Sequence, residues 1–223
     1  MSALRALALR AFALPAFAAV AALHLAALLL GQESLAHVTK PALMPLLAAY
    51  VALRGGPRLL VAGLLCGAAG DVLLQIGGPA FLVGMGAFAA GHCCYLALFR
   101  ARGHRPHRAV LFGYAAVWAV TLAALWPGLD PAMRGPVAAY SLLLAAMACA
   151  ASAAGTRAGA GGALFLLSDT LIATRLADWS QPPAAGFWVM LTYLAAQYLL
   201  ATGMPEAVRP QRTASSASTM PLP

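Results

Sequence analysis

Two carboxylates stand where lipid would exclude them. Asp71 lies in GLLCGAAGDVLL and Asp169 in GGALFLLSDTLI, stretches otherwise dominated by apolar and small residues. A charge at membrane depth costs at least about 2.5–3.5 kcal/mol on insertion scales, so such a residue is a functional-site candidate by default. Asp71 follows Arg58 by 13 residues and Asp169 follows Arg157 by 12. At about 1.5 Å per helical residue both lie about 18–20 Å from the same boundary. His92 and Tyr95 fall three apart, and Tyr193 and Gln197 four apart, so each pair shares a helix face that can line one polar pocket. Ser168 precedes Asp169, whereas Lys40 and Arg175 fall near the ends of their segments, within reach of a lipid phosphate.

Two buried carboxylates can divide the work of a proton donor and an anion, as glycosidase pairs do. Because coupled carboxylates share their titration, the acid and base roles stay open at this point. Ser168, a candidate donor beside Asp169, tilts Asp169 toward the stabilising anion. The competing reading is helix glue, in which Asp, His, Tyr and Gln bond one another across helices at about 0.6 kcal/mol each on average. For Tyr193, Gln197 and Ser168 the two readings weigh equally. The matched depth of the aspartates favours function for that pair. A metal hydrolase built on Asp71, His92 and Asp169 lacks any HExxH-like spacing, and Cys66, Cys93, Cys94 and Cys149 form no ligand pattern. No metal and no cofactor is expected.

The elements that hold these groups must be transmembrane helices. The 223 residues are 62% hydrophobic and 9% charged, with a mean hydropathy of +0.82. A water-soluble domain of this size does not carry such a composition. Apolar segments run over 11–30, 41–53, 59–76, 80–99, 109–126, 136–154, 160–177 and 185–203, each bounded by Gly, Pro or charge. About 20 residues span the hydrocarbon core, so the fold class is all-α, a polytopic bundle of about eight spans in a single domain over 1–204. The second segment is short, and Pro41 suits its first turn, where a missing N–H costs nothing. The tail, 205–223, is rich in Ser and Pro and reads as disordered and cytoplasmic.

With a cytoplasmic N-terminus, eleven arginines fall on the inner side and Lys40, Arg134 and Arg175 on the outer, the asymmetry expected of a multi-pass protein of a cell membrane, a bacterial inner membrane by its Arg-rich usage. Both termini are then cytoplasmic. The formal charge of +8 is thus a topological signal, and no nucleic-acid partner is expected, since the arginines sit singly between apolar runs. Aligning the third and seventh segments on their aspartates also matches Gly63 with Gly161 and Leu73 with Leu171. These segments run in the same direction, as a parallel four-plus-four duplication requires.

The ordered set Lys40-Pro41 followed by LMPLL, GLLCGAAGDVLL, GHCCYLALF, GALFLLSDTLIATR and YLAAQYLL resembles the YhhN-like lysoplasmalogenases, small multi-spanning membrane hydrolases of the lysoplasmalogen vinyl ether. The resemblance covers most of the chain. It implies an eight-helix bundle with Asp71 and Asp169 as the catalytic pair and Lys40, His92, Tyr95, Ser168, Tyr193, Gln197 and Arg175 around a lysophospholipid substrate. The stretch about Gly70 departs from the family pattern and is expected to loosen its helix. The alternative from another class is a proton-coupled transporter or lipid-binding membrane protein that uses the same acids as a relay. Oligomeric state is not legible.

Overall fold

The computed structural model describes residues 3–204, with side chains from residue 11. The tail expected to be disordered, 205–223, lies outside the described residues. Among the described residues, eight α-helices run α1 (Ala3–Leu29), α2 (Glu33–Leu53), α3 (Arg58–Ile76), α4 (Ala80–Ala101), α5 (Arg108–Leu125), α6 (Pro131–Ser152), α7 (Thr156–Leu176) and α8 (Ala185–Gly203). Seven of them are long and apolar enough to cross a membrane. The exception is α7, whose 21 residues suffice in length at about 1.5 Å each. Its sequence includes Arg157, Ser168, Asp169, Thr170, Thr174 and Arg175, so a helix rich in polar side chains is one that carries a candidate carboxylate. Large apolar side chains face outward, among them Phe12, Val38, Phe112 and Val120, each at least 70% exposed, as lipid requires of a bundle's outer surface.

The second segment corrects the sequence reading. Its helix starts at Glu33, well before the expected 41, and runs 21 residues with Pro41 and Pro45 inside it, a full crossing of about 30 Å. Pro41 cannot donate to the carbonyl of His37, one turn earlier. That carbonyl instead accepts a hydrogen bond from Gln75 Nε2 of α3 at 3.1 Å. A side chain from a neighbouring helix thus satisfies the group that proline freed. The same helix is pinned to α1 beside Lys40. Thr39 Oγ1 donates to the Leu35 carbonyl at 2.8 Å, so His24 Nδ1, 2.8 Å from the Thr39 Oγ1, donates to that hydroxyl.

The α3–α4 and α7–α8 pairs make the broadest helix contacts, with α2 against α3 and α6 against α7. Gly63, Gly67 and Gly70 form a row along α3. A Cβ on Gly63 would collide with the Tyr95 ring and one on Gly70 with the Phe88 ring, while one on Gly67 would lie 3.2 Å from Tyr193 Oη. The stretch expected to loosen α3 instead lets three aromatic residues seat against its backbone. Close approach at small residues is how helices gain contact where no hydrophobic force drives them together.

Candidate active site

Asp71 and Asp169 occupy the same register: each is the fourteenth residue of its helix, α3 and α7. Both line one cavity of about 110 Å³, together with Lys40, Tyr140, Ser168 and Tyr193. Of the residues singled out in the sequence, this cavity gathers the aspartates, Lys40, Ser168 and Tyr193. His92, Tyr95 and Gln197 do not reach the cavity wall. They are joined to it by hydrogen bonds that lead to Tyr140 and Tyr193. Arg175 sits in the last turn of α7 and lies outside the lining.

A directional chain of hydrogen bonds ends on Asp71. Tyr95 Oη donates to Gln197 Oε1 at 2.8 Å, Gln197 Nε2 lies 3.5 Å from Tyr193 Oη, and Tyr193 Oη donates to Asp71 Oδ2 at 2.9 Å. The other oxygen, Oδ1, lies 3.6 Å from Lys40 Nζ. The lysine is 21% exposed and the aspartate 5%, so the ammonium joins the buried carboxylate to the more open part of the site. Sequence spacing puts Tyr193 and Gln197 on one face of α8, and the structure uses that face to carry one donor to one carboxylate.

A second, shorter chain ends on Asp169. Tyr140 Oη of α6 donates to Asp169 Oδ2. With its proton committed there, Tyr140 must accept from His92, whose Nε2 lies 3.1 Å away. His92 is then protonated on Nε2, and its buried Nδ1 has no partner among the described residues. Ser168, expected as the donor to Asp169, spends its hydroxyl on the Val189 carbonyl of α8 at 3.1 Å. That bond ties α7 to α8 one residue before the carboxylate. Tyr140 is the residue that sequence reasoning missed. Its one available signal was a phenol inside the apolar run AAYSLLLAAMACAAS, and phenols occur in membrane helices at the interfaces without chemical roles.

Phe88 and Phe165 separate and brace the two chains. Phe88 packs edge-on against Tyr193 at 5.9 Å and against Phe165 at 6.3 Å. Phe165 in turn packs against Tyr193 at 5.4 Å and His92 at 4.8 Å. Rings at these distances and angles are favourable pairs, so the Tyr193 phenol and the His92 ring are each held by packed neighbours. The two carboxylates face different partners: Asp71 has a cation and a phenol, whereas Asp169 is held by a phenol. Among the described residues no three His, Cys, Asp or Glu side chains are grouped as a metal would require.

Known proteins bear on this arrangement. Residues 35–204 match the YhhN family, a span that holds every residue named in the cavity. The chain is 40% identical over 147 residues to lysoplasmalogenase TMEM86B of Homo sapiens, covering 66% of this chain and 63% of that protein. It is 37% identical over 171 residues to lysoplasmalogenase TMEM86B of Sus scrofa, covering 74% of each. The chain thus spans somewhat less than two thirds of the human protein's length. No solved structure matches. The helices, their apolar outer surface and the extent of these matches together establish the chain as a multi-pass membrane protein that belongs to the YhhN family.

Proposed function

We propose that this protein is a membrane hydrolase that cleaves the vinyl ether bond of lysoplasmalogens, or of a related lyso-ether lipid, to a fatty aldehyde and a glycerophospho-alcohol. The observation that carries this reading is that two aspartates line one cavity and face different partners, one a lysine and a phenol, the other a phenol. The relatives named lysoplasmalogenases supply the substrate class.

Vinyl ether hydrolysis begins with protonation of the alkene carbon remote from oxygen, which leaves an oxocarbenium ion. Asp169, bonded to a neutral phenol, is the seat of the proton. Asp71, beside Lys40, is the seat of the anion, because an opposite charge within about 4–6 Å favours the charged form of a carboxylate. This assignment reverses the tilt toward Asp169 as anion, since Ser168 bonds elsewhere. Asp169 delivers its proton to carbon and becomes an anion. Asp71 takes a proton from the water that adds to the oxocarbenium carbon, giving a hemiacetal. In its collapse Asp71 returns that proton to the departing glycerol oxygen while Asp169 takes the hemiacetal hydroxyl proton. Both carboxyl groups are thereby restored, and one water is consumed.

Lys40 holds the substrate phosphate as well as Asp71, since its ammonium is a compact charge with three donors on a flexible stem. The orientation that fits the loop arginines puts both termini in the cytoplasm and Lys40 toward the opposite face. The test is aldehyde release by purified protein in detergent, with the ester lysophospholipid of the same head group as control. Turnover of the ether lipid alone supports a hydrolase. No aldehyde in detergent, with gradient-driven uptake in sealed vesicles, would replace it with a transporter.

A further inference from the structure

α5 is the least enclosed helix of the bundle, yet it forms a wall of the catalytic cavity. Leu125 is its one buried residue, and α6 is its one substantial packing partner. Trp118 Nε1 donates to Ser141 Oγ of α6 at 3.1 Å, which fixes α5 by its inner face to α6 and leaves its seam with α4 without a comparable tie. Val117 is 53% exposed on the bundle's surface and at the same time lines the cavity. A side chain can do both only at a mouth. Across the seam from α5, the cavity wall is Phe81 and Met85 of α4. At the end nearest the α5–α6 connection, Leu125, Leu129, Val137 and Ala177 close it as a separate apolar cluster.

We infer that the hydrocarbon chain of the substrate lies in the seam between α4 and α5, entering sideways from the bilayer past Val117, with Leu122 and Met85 as its walls. This rests on the proposed hydrolysis and adds to it where the lipid tail goes. The chemistry requires such an arm, because the carbon that is protonated is the one that bears the chain. The chain must therefore leave the carboxylates in a direction away from the phosphate held by Lys40. Lys40 comes from α2, and the apolar mouth opens at α5. Mostly apolar walls continuous with the carboxylates, where Trp118 and Ser141 are bonded to each other, and an opening that faces lipid fit a hydrocarbon.

The test compares hexadecenyl and butenyl lyso-ether lipids with the same head group, on the full chain in detergent. Leu122→Trp narrows the seam, and its kcat/KM for the hexadecenyl lipid relative to the butenyl lipid is expected to fall at least about tenfold, the loss of burial for one to two methylenes. Val120→Trp, on the lipid face of α5 and outside the lining, is expected to keep the ratio of the unaltered protein. If Leu122→Trp does not fold, Val117→Phe at the mouth gives the same readout. An unchanged ratio in the seam variants, or an equal change in Val120→Trp, would overturn the assignment. Absence of turnover of either lipid by the unaltered protein would overturn the hydrolase reading beneath it.

Discussion

Asp71 and Asp169 are each aimed by a tyrosine, and substitution separates their roles from those of their supports. Asp71→Asn and Asp169→Asn are each expected to lower aldehyde release at least about 10²-fold with folding retained, the lower range of general acid–base contributions. Asparagine keeps shape and hydrogen bonding but neither donates an acidic proton nor carries the charge that steadies an oxocarbenium ion. Near-normal turnover in both would remove acid–base catalysis from these residues. Lys40→Ala is expected to raise KM and to lower kcat together, because it removes both a contact to the phosphate that substrate and transition state share and the charge that favours the anionic form of Asp71. Steady-state kinetics on the ether lipid measures both changes. The aspartates were legible in the sequence because the cost of a carboxylate at membrane depth makes it conspicuous in an apolar run. Tyr140 was not, because a phenol is at home in a membrane helix, and only the fold shows its hydroxyl between His92 and Asp169. Ser168 misled for the opposite reason: adjacency in the chain suggested a bond to Asp169, yet on a helix neighbouring side chains point about 100° apart, and its hydroxyl reaches α8 instead.

At the scale of the helix, α3 is built to be approached. Gly70→Val would drive a branched side chain into the Phe88 ring and is expected to destabilise the protein by about 1–3 kcal/mol, as overpacking typically does. Gly86→Val on α4, where a Cβ meets nothing within 4 Å, is the matched control. Thermal unfolding in detergent reads both, and equal stability of the two variants would contradict the packing role of the glycine row. Most helix positions were readable from apolar runs bounded by Gly, Pro or Arg. The start of α2 was not, because Glu33, Ser34, His37, Thr39 and Lys40 look like a loop, and the Gln75 bond that lets Pro41 sit inside a helix is visible only across two helices. The expected duplication gains support beyond its first matches. Tyr95-Leu96-Ala97 on α4 and Tyr193-Leu194-Ala195 on α8 are separated in sequence by the same interval as Asp71 and Asp169, and α3 packs on α4 as α7 packs on α8. Such a duplication would make Asp71 and Asp169, each the fourteenth residue of its helix, equivalent in the two halves, with the lysine on α2 beside one of them.

For the molecule as a whole, the proposed hydrolysis consumes one water at a time in a cavity enclosed by the bundle's helices. If the arginine asymmetry sets the orientation as proposed, reporter fusions at the C-terminus and in the 103–107 loop are expected to score as cytoplasmic, and fusions at 178–183 as external. A C-terminus scored outside would remove the even number of crossings. The expected orientation rests on arginine placement, which the sequence displays directly, whereas the cavity was not legible there, since it arises from seven helices meeting around side chains far apart in the chain. The central claim is that the carboxylates protonate carbon and water attacks the resulting cation. It is tested most directly by turnover in water labelled with heavy oxygen, with the aldehyde trapped by reduction as it forms. Protonation at carbon places the label in the trapped alcohol and none in the glycerol product. Label in the glycerol product would mean that water attacks the glycerol side of the ether, and would contradict the mechanism.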